Sequence, residues 1–350
     1  MNVVLTICSS NYLAHAKTLG DSVLDQNPDF KFVIGLVDRF PSDLDRGYCS
    51  RFEVIPVEEL KLAEFPDMAA KYNIVELNTA VKPFYMAHLY ERDHDVASVT
   101  YLDPDMMVYS SFDGLLKTLK QNNIVLTPHS CTYDDSPENI YYERVMLYAG
   151  IYNLGFIATR RSAVTMAFLQ WWKIRLKDHC FYRPGVAGAF FDQLWTGLAP
   201  VYFDGVYVEK DPGYNFCYWN HFERKLEKRG GNYLVNGSHD LVFVHYSGYK
   251  PERPEVPATR LSDPIGYLQD SPDLQPIYDE YRKRLMERNY LFIKTIRWYF
   301  APPERNDPFR SFKKFLKSSI EGSIKMVPLS LRRRIKRVAI FLADAADLNT

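Results

Sequence analysis

The chain of 350 residues is 47% hydrophobic, enough for a substantial core, and its formal net charge is zero. It contains no run of about eighteen apolar residues, so we expect no transmembrane helix. Its five cysteines are an odd number without C-x-x-C spacing, which argues against a disulfide framework and a structural zinc site and favours a reducing, cytoplasmic compartment.

The first 130 residues alternate apolar segments of strand length with segments of helical periodicity. Strands are predicted at residues 3–7, 32–37, 52–57, 99–102 and 124–127, and helices at 12–24 and 81–90. The N-terminal segment lacks the basic and long apolar stretches of a signal peptide, so we interpret it as a buried first strand. This β-α-β alternation predicts an α/β fold with a mostly parallel central sheet flanked by helices.

The loop after the first predicted strand lacks two common nucleotide-binding motifs. It contains Ser10, Asn11 and Tyr12 but neither the glycine fingerprint of dinucleotide-binding enzymes nor a P-loop. An NAD enzyme or a P-loop NTPase is therefore disfavoured. At the carboxyl edge of the sheet, these residues are candidates for contact with a base or a ribose, although an N-cap followed by a packed aromatic is an equal alternative.

Two carboxylates follow the predicted strand at residues 99–102, in the sequence Asp103-Pro104-Asp105. Pro104 cannot continue a central strand, which places both acids at the carboxyl edge, where open α/β sheets bind ligands. Two acids one residue apart can reach one divalent cation, and that cation could hold a diphosphate. Because Asp-Pro-Asp is also favourable turn chemistry, the motif alone leaves a simple turn open.

A second polar motif follows a β-rich run near residue 242. His245 ends this run, and Gly248 and Lys250 lie in the next loop. An imidazole would complete a metal site of two carboxylates, and the Lys250 ammonium offers a cation to a leaving phosphate. A lone histidine is usually structural, so its assignment as a ligand depends on the acids upstream.

Two further segments carry polar residues in unusual positions. Gly155 interrupts an apolar run that begins at Asn153, which indicates a bulge or a nearby ligand; a core strand with Asn153 capping a turn is the alternative. Asp192 and Gln193 would diverge by about 100° on a helix, so a shared ligand requires an irregular helix start. A first-turn acid that stabilises the helix dipole is the alternative for Asp192.

Taken in order, these motifs resemble those of nucleotide-sugar-dependent glycosyltransferases of the GT-A fold. The match is to the retaining family 8 group, which includes glycogenin and bacterial lipopolysaccharide galactosyltransferases. Residues 103–105 are similar to its D-x-D motif, 153–155 to its Asn-x-Gly strand, 192–193 to its Asp-Gln pair and 245–251 to its H-x-x-G-x-K-P-W segment. The resemblance covers about residues 1–255. Glu252 departs from it, because the family often has tryptophan there.

The resemblance implies a metal-dependent hexosyltransferase that retains anomeric configuration, with Mn²⁺ or Mg²⁺ as its cofactor. Its substrates would be a nucleoside-diphosphate sugar, with UDP as the expected nucleotide, and a glycan or lipid-linked glycan acceptor. The implied metal ligands are Asp103, Asp105 and His245. The implied donor-binding residues are Ser10, Asn11, Tyr12, Lys82, Asp103, Asn153, Gly155, Gly248 and Lys250, and the catalytic residues are Asp192, Gln193 and Lys250.

The position of Lys82 depends on the alignment, because it matches the family's basic residue only if residues 93–98 contain a small insertion. Two other functions are compatible with the metal motif. A nucleotidyltransferase also uses metal-bound carboxylates, but the glycine-rich phosphate loop that it normally carries near the first strand is absent from this sequence. A non-catalytic protein that binds nucleotide sugars or glycans is the alternative from another class.

The C-terminal part of the chain differs in charge from the rest. Residues 310–337 contain ten lysines and arginines and one acid, a net charge of +9 that leaves −9 on the remainder. Because apolar residues recur at helical spacing, we expect a basic amphipathic tail that binds an anionic membrane surface through residues 310–342, at the inner face of the membrane. A solvated helix packed on the acidic body is the alternative. No nucleic-acid partner is expected, because no recognised nucleic-acid-binding fold accompanies this charge.

These observations divide the chain into three predicted parts. Residues 1–255 would form the GT-A catalytic domain, residues 256–308 a helical extension packed on it, and residues 309–350 the basic tail. Within the extension, residues 273–300 are predicted to form a helix.

Overall fold

The computed structural model describes residues 1–133, 135–183, 186, 188–258, 268 and 271–300. The basic tail predicted at 310–342 lies outside these residues. The strands are β1 (Asn2–Cys8), β2 (Lys31–Leu36), β3 (Glu53–Pro56), β4 (Ser98–Leu102), β5 (Met106–Val108), β6 (Ile124–Pro128), β7 (Tyr152–Arg160), β8 (Val206–Val208), β9 (Leu226–Arg229), β10 (Asn232–Val235), β11 (His239–Asp240) and β12 (Phe243–His245). The helices are α1 (Leu13–Gln26), α2 (Phe65–Lys71), α3 (Ile74–Ala80), α4 (Lys82–Arg92), α5 (Asp113–Gln121), α6 (Pro137–Ala149), α7 (Ala163–His179), α8 (Gln193–Thr196), α9 (Ala199–Tyr202), α10 (Gln275–Glu287) and α11 (Tyr290–Ile293).

The central sheet has seven strands in the order β3-β2-β1-β4-β7-β6-β8. All neighbouring pairs are parallel except those of β7, which is antiparallel to both β4 and β6. Two small sheets, β9 to β11 and the antiparallel pair β5 and β12, complete the described part. The predicted class, α/β with a mostly parallel sheet flanked by helices, is confirmed.

Hydrophobic clusters cover both faces of the sheet. Successive residues of a strand point to opposite faces, and accordingly Val4 packs in one cluster and Leu5 in the other. The first cluster contains buried residues of α1 and α10, and the second contains those of α4 and α7. Because β1 and β4 are covered on both faces, their sequences are nearly continuous apolar runs and do not alternate between apolar and polar residues.

The elements predicted in the first 130 residues are all present, with shifts of a few residues at their ends. The strand predicted to reach residue 57 ends at Pro56, because Val57 begins a short 3₁₀ helix. The single helix predicted at 273–300 is wrong. Asn289, with φ of 58°, takes a left-handed conformation that asparagine tolerates better than most residues, and it separates α10 from α11.

The C-terminal helices α10 and α11 pack against α1, the helix that follows the first strand of the sheet. Buried residues of α10 and α11, among them Tyr281 and Ile293, belong to the same hydrophobic cluster as α1. The domain limits at residues 255 and 308 remain predictions. Within the described residues, no helix is both long enough and apolar enough to cross a bilayer.

Candidate functional site

The two acids after β4 and the histidine at the end of β12 meet at the carboxyl edge of the sheet. β12 pairs with β5 so that His245 lies opposite Met106, directly after Asp105. His245 Nε2 is 3.2 Å from Asp105 Oδ1 and 3.8 Å from Asp103 Oδ2. One ligand atom from each of the three side chains lies within 4.8 Å of the others. Two carboxylates and an imidazole are suitable ligands for a divalent cation, so this set can hold one.

Backbone hydrogen bonds fix the loop that carries the two carboxylates. The Asp103 amide donates to the Gly155 carbonyl at 2.8 Å, and the Asp105 carbonyl accepts from the Tyr246 amide at 2.8 Å. The Tyr101 hydroxyl also donates to Asp103 Oδ1 at 2.6 Å. The segment is therefore anchored to both neighbouring strands rather than being a free turn.

A chain of hydrogen bonds orients His245 towards the acids. His245 Nδ1 lies 3.3 Å from Asn153 Oδ1, and Asn153 Nδ2 lies 3.2 Å from Nε2 of His129. Nδ1 of His129 lies 3.2 Å from the Ile151 carbonyl, which can only accept. His129 must therefore donate through Nδ1 and accept through Nε2, Asn153 accepts from His245, and His245 presents the lone pair of Nε2 to the carboxylates. Burial lowers the pKa of His129 to about 4, which keeps it neutral for this role.

Gly155 creates the space that His245 occupies. A Cβ added at this position would lie 2.7 Å from His245 Cε1, 2.7 Å from Met106 Cε and 2.9 Å from Asn153 Oδ1. These distances are too short for real contacts. The glycine within this apolar strand is thus explained by the protein's own imidazole and amide.

Gly155→Ala is expected to weaken Mn²⁺ binding at least about tenfold and to lower stability by about 1–3 kcal/mol, because the added methyl group must displace His245 or Asn153. Calorimetric Mn²⁺ titration and thermal unfolding would measure both effects. Gly114→Ala, in helix α5, is the matched control, since its Cβ would meet only the Tyr214 hydroxyl at an ordinary 3.5 Å. Wild-type Mn²⁺ affinity in a folded Gly155→Ala variant would contradict this account.

Lys82 and Asp192 form a buried ion pair beside the cluster. Lys82, the first residue of α4, donates from Nζ to Asp192 Oδ2 at 2.6 Å and to the Leu154 carbonyl at 2.7 Å. The Lys82 ammonium also lies 4.3 Å from the centre of the Tyr101 ring. Burial raises the pKa of Asp192, an effect that Lys82 opposes. The Lys82 ammonium is thus already bonded to groups of this chain, and it holds the Asp192 carboxylate in place within the site.

The side chains of Gln193 and Asp192 point towards different partners. Its side chain donates to the Ala149 carbonyl, at the end of α6, at 2.7 Å. The irregular helix start required for a shared ligand is present, because Phe191 has a φ of 51° just before Asp192, which occupies the N-cap position of α8 without a side-chain capping bond. The two side chains nevertheless bind different partners, so the structure does not bring Gln193 together with Asp192.

The three residues after β1 differ in their surroundings. Ser10 is buried, its amide donates to Asp38 and its hydroxyl to the Arg39 carbonyl, so its polar groups are already used within the protein. Asn11 has a buried Oδ1 that makes no hydrogen bond within the described part of the chain. Tyr12 stacks on His15, with ring centres 4.4 Å apart. Tyr12 also lines an open space.

That space is a cavity of about 60 Å³ beside the cluster of Asp103, Asp105 and His245. Asp105, Gly248 and Lys250 line it from the cluster and the loop after β12, and Tyr12 and His15 line it from the segment after β1. Gly248 has a φ of 77°, a conformation that a glycine adopts without strain and that turns the loop towards the cavity. Burial lowers the pKa of His15 to about 4, so its imidazole is neutral at pH 7.

Two contributors to the site were not identified from the sequence. His129 follows the predicted strand at residues 124–127, and a polar residue in that position was a usable signal. Trp219 packs edge-on against both His129 and His245, with ring centres 5.4 and 5.2 Å away, and no sequence pattern pointed to it. Glu252, where the resembled family often has tryptophan, instead accepts a hydrogen bond from Tyr290 and forms an ion pair with Lys294.

No protein-family model matches this chain. A Bacillus subtilis (strain 168) protein named uncharacterized protein YfnF is 26% identical over 247 residues, which are 70% of this chain and 80% of the relative. Among solved structures, the galactosyltransferase LgtC in complex with donor and acceptor sugar analogues has 16% identity and a TM-score of 0.46, covering 89% of this chain and 99% of LgtC. The glycosyltransferase GlyE of Streptococcus pneumoniae TIGR4 has 15% identity and a TM-score of 0.46, covering 86% of this chain and 65% of that one.

Proposed function

We propose that the protein is a hexosyltransferase that takes its sugar from a nucleoside diphosphate, UDP in the first instance, and retains the anomeric configuration. The observation that carries the proposal is the convergence of Asp103, Asp105 and His245 within 4.8 Å at the carboxyl edge of a mostly parallel sheet. This is where open α/β sheets bind their ligands. The order of sequence motifs from residue 103 to residue 251 supports the same function.

The three ligand side chains would hold Mn²⁺ or Mg²⁺ through oxygen and nitrogen donors. A divalent cation bound there supplies positive charge that stabilises a departing nucleoside diphosphate. Lys250, exposed in the loop after β12, adds a second positive charge on the cavity side of the cluster. Preorganised charges of this kind can each lower the barrier by about 3 kcal/mol.

Asp192 is the group that we propose faces the transferred sugar. It lies on the β7 side of the cluster, where Lys82 fixes its position and burial limits its access to water. Its Oδ2 accepts from Lys82, and because a carboxylate can accept several hydrogen bonds, we propose that it also accepts from a sugar hydroxyl. We assign Gln193 a positioning role, because its amide is bonded to the Ala149 carbonyl and ties α8 to the end of α6.

The acceptor that we propose is a glycan, either free or linked to a lipid. The basic tail at residues 310–342 would bring the enzyme to an anionic membrane surface, at the cytoplasmic face, where lipid-linked acceptors are displayed. This part of the proposal rests on the sequence of the tail.

The proposal is tested by incubating the full-length protein with UDP-glucose, UDP-galactose and GDP-mannose, in Mn²⁺, in Mg²⁺ and in EDTA. We expect at least one donor to release its hexose in the presence of metal and none in EDTA. NMR of the first sugar released from an α-linked donor should show the α anomer, as retention requires. Release of pyrophosphate from a nucleoside triphosphate instead would identify a nucleotidyltransferase.

Two histidine variants distinguish loss of the metal site from a general loss of the folded structure. His245→Ala should abolish the metal-dependent hydrolysis, whereas His239→Ala should leave it unchanged, because His239 is a half-exposed residue that pairs only with Asp211 in the described structure. If the wild-type protein neither hydrolyses nor binds any of the three donors, the proposed function is wrong.

A further inference from the structure

Tyr101 is a buried residue whose hydroxyl group is bonded to one of the proposed metal ligands. It is the fourth residue of β4, and its backbone pairs with Leu5 of β1 on one side and with Ile157 of β7 on the other. The residue is 3% exposed, and its hydroxyl reaches Asp103 Oδ1 at 2.6 Å. Residues two apart in an extended chain point to the same face, which explains why Tyr101 can reach Asp103. The ligand therefore has a hydrogen-bond donor fixed in the central sheet.

This hydrogen bond sets which oxygen of Asp103 faces the other ligands. An ionised carboxylate can only accept, so the Tyr101 hydroxyl donates to Oδ1. Oδ2 is the oxygen that lies 3.8 Å from Nε2 of His245, the same nitrogen that lies 3.2 Å from Oδ1 of Asp105. A cation among the three side chains would therefore meet Asp103 from the Oδ2 side. Turning both oxygens towards that cation requires a rotation that the bond to Tyr101 opposes.

A buried ion pair holds the ring of Tyr101 in place. The Lys82 ammonium lies 4.3 Å from the ring centre, and it is bonded to Asp192 Oδ2 and to the Leu154 carbonyl. A cation over the face of an aromatic ring is attracted to it, so the ring and the ion pair fix each other. The Asp103 side chain, by contrast, is 32% exposed, more than either of the other two ligands. The most exposed ligand is thus tethered to a rigid, buried group.

Divalent cations differ in the number of carboxylate oxygens that they accept. Ca²⁺ takes about six to eight oxygen ligands and often binds both oxygens of one carboxylate, whereas Mg²⁺ requires about six ligands in a regular octahedron. Mn²⁺ also occupies octahedral sites. One atom from each of the three side chains gives three protein ligands and leaves three octahedral positions for phosphate or water oxygens. An Asp103 that binds through one oxygen therefore suits Mn²⁺ or Mg²⁺ better than Ca²⁺.

We propose that Tyr101 is a positioning residue that holds Asp103 as a one-oxygen ligand, so that the site prefers a six-coordinate cation such as Mn²⁺ to Ca²⁺. The inference rests on the metal site of the proposed function and deepens it. It assigns the choice of cation to a residue that does not itself touch the cation. It also links that choice to the Lys82–Asp192 pair, because the pair holds the Tyr101 ring.

Separate calorimetric titrations of the full-length protein with Mn²⁺ and with Ca²⁺ test the proposal. The wild type should bind Mn²⁺ at least about tenfold more tightly than Ca²⁺. Tyr101→Phe removes one oxygen and keeps the ring beneath the Lys82 ammonium. We expect this variant to bind Mn²⁺ about tenfold more weakly, as the loss of a partner that orients a metal ligand commonly does. Its affinity for Ca²⁺ should stay within about twofold of the wild type or increase, because the released Oδ1 can join the ligands of this larger cation.

Tyr85→Phe is the matched control for this change. Tyr85 is also a buried tyrosine, and its hydroxyl donates to the carbonyls of Leu36 on β2 and Ile55 on β3, away from the three ligands. It should keep the wild-type affinities for both ions. Circular dichroism on the same preparations would show that both variants are folded.

Three results would overturn the inference and leave the proposed function intact. They are equal affinities of the wild type for the two ions, an unchanged Mn²⁺ affinity in Tyr101→Phe, and equal losses for Mn²⁺ and Ca²⁺ in that variant, which would show that the hydroxyl only supports the fold. The first of these needs no variant. A wild type that binds Mn²⁺ but neither binds nor hydrolyses a nucleotide sugar would reject the proposed function, and the ion titrations would still decide the inference. A wild type that binds no divalent cation would reject both.

Discussion

Asp105→Asn is expected to reduce metal-dependent donor hydrolysis at least about 100-fold and to weaken Mn²⁺ binding at least about tenfold, because it removes one negative ligand from the cluster. The fold should persist. The backbone carbonyl of residue 105 accepts the Tyr246 amide whichever side chain is present, and asparagine has the same shape as aspartate. Calorimetry with Mn²⁺, hydrolysis of the preferred donor and circular dichroism should be measured on the same preparation.

The matched control for this change is Asp113→Asn. Asp113 begins α5, is exposed and contacts Ser111, so its loss should leave Mn²⁺ affinity and hydrolysis unchanged. Hydrolysis within about threefold of the wild type in folded Asp105→Asn would remove Asp105 from the site. An equal loss in both variants would point to an effect of net charge rather than of ligation.

Lys82→Met is expected to lower the free energy of unfolding by about 3–5 kcal/mol at pH 7, because it leaves the Asp192 carboxylate buried without its cation. The side chains of Lys82 and Asp192 are only 3% and 5% exposed, so water cannot replace the lost partner. Denaturant unfolding followed by circular dichroism gives this value directly.

The size of this loss should depend on pH. Burial raises the pKa of Asp192 above its ordinary value, and removing Lys82 raises it further. An acid whose pKa is higher in the folded state binds a proton more readily there than in the unfolded chain, so stability falls as pH rises from about 4 through the folded pKa. The difference between wild type and Lys82→Met should therefore be small near pH 4 and largest near pH 8.

Two variants distinguish the loss of the pair from other damage at α4. Lys173→Met breaks an ion pair with the exposed Glu91, at 3.6 Å, and should cost no more than about 1 kcal/mol. Adding Asp192→Asn to Lys82→Met removes the unpaired charge and should recover part of the stability. A Lys82→Met loss that does not vary with pH would show that the buried charge is not its cause.

The placement of the metal ligands could be argued from the sequence because it depends on local chemistry. An apolar run long enough for a buried strand, followed by Asp103 and Asp105 around a proline, puts two carboxylates at the end of β4. His245 ends a second β-rich run in the same way. The pattern and length of the apolar runs indicate which element forms and where it ends. For this reason β1, β2, β4 and β6 were also predicted close to their observed limits.

The partners of these residues were decided only by tertiary packing. The sequence did not indicate that Lys82 bonds to Asp192, that Asn153 orients His245 with the help of His129, or that Tyr281 reaches the cavity beside Asp105. A hydrophobic pattern specifies the buried face of an element, but not which distant side chain fills the space against it. That choice depends on strand order and on close packing. The antiparallel pairing of β7 with β4 brings Asn153 and the Leu154 carbonyl to the site, whereas the packing of α10 brings Tyr281 to the cavity.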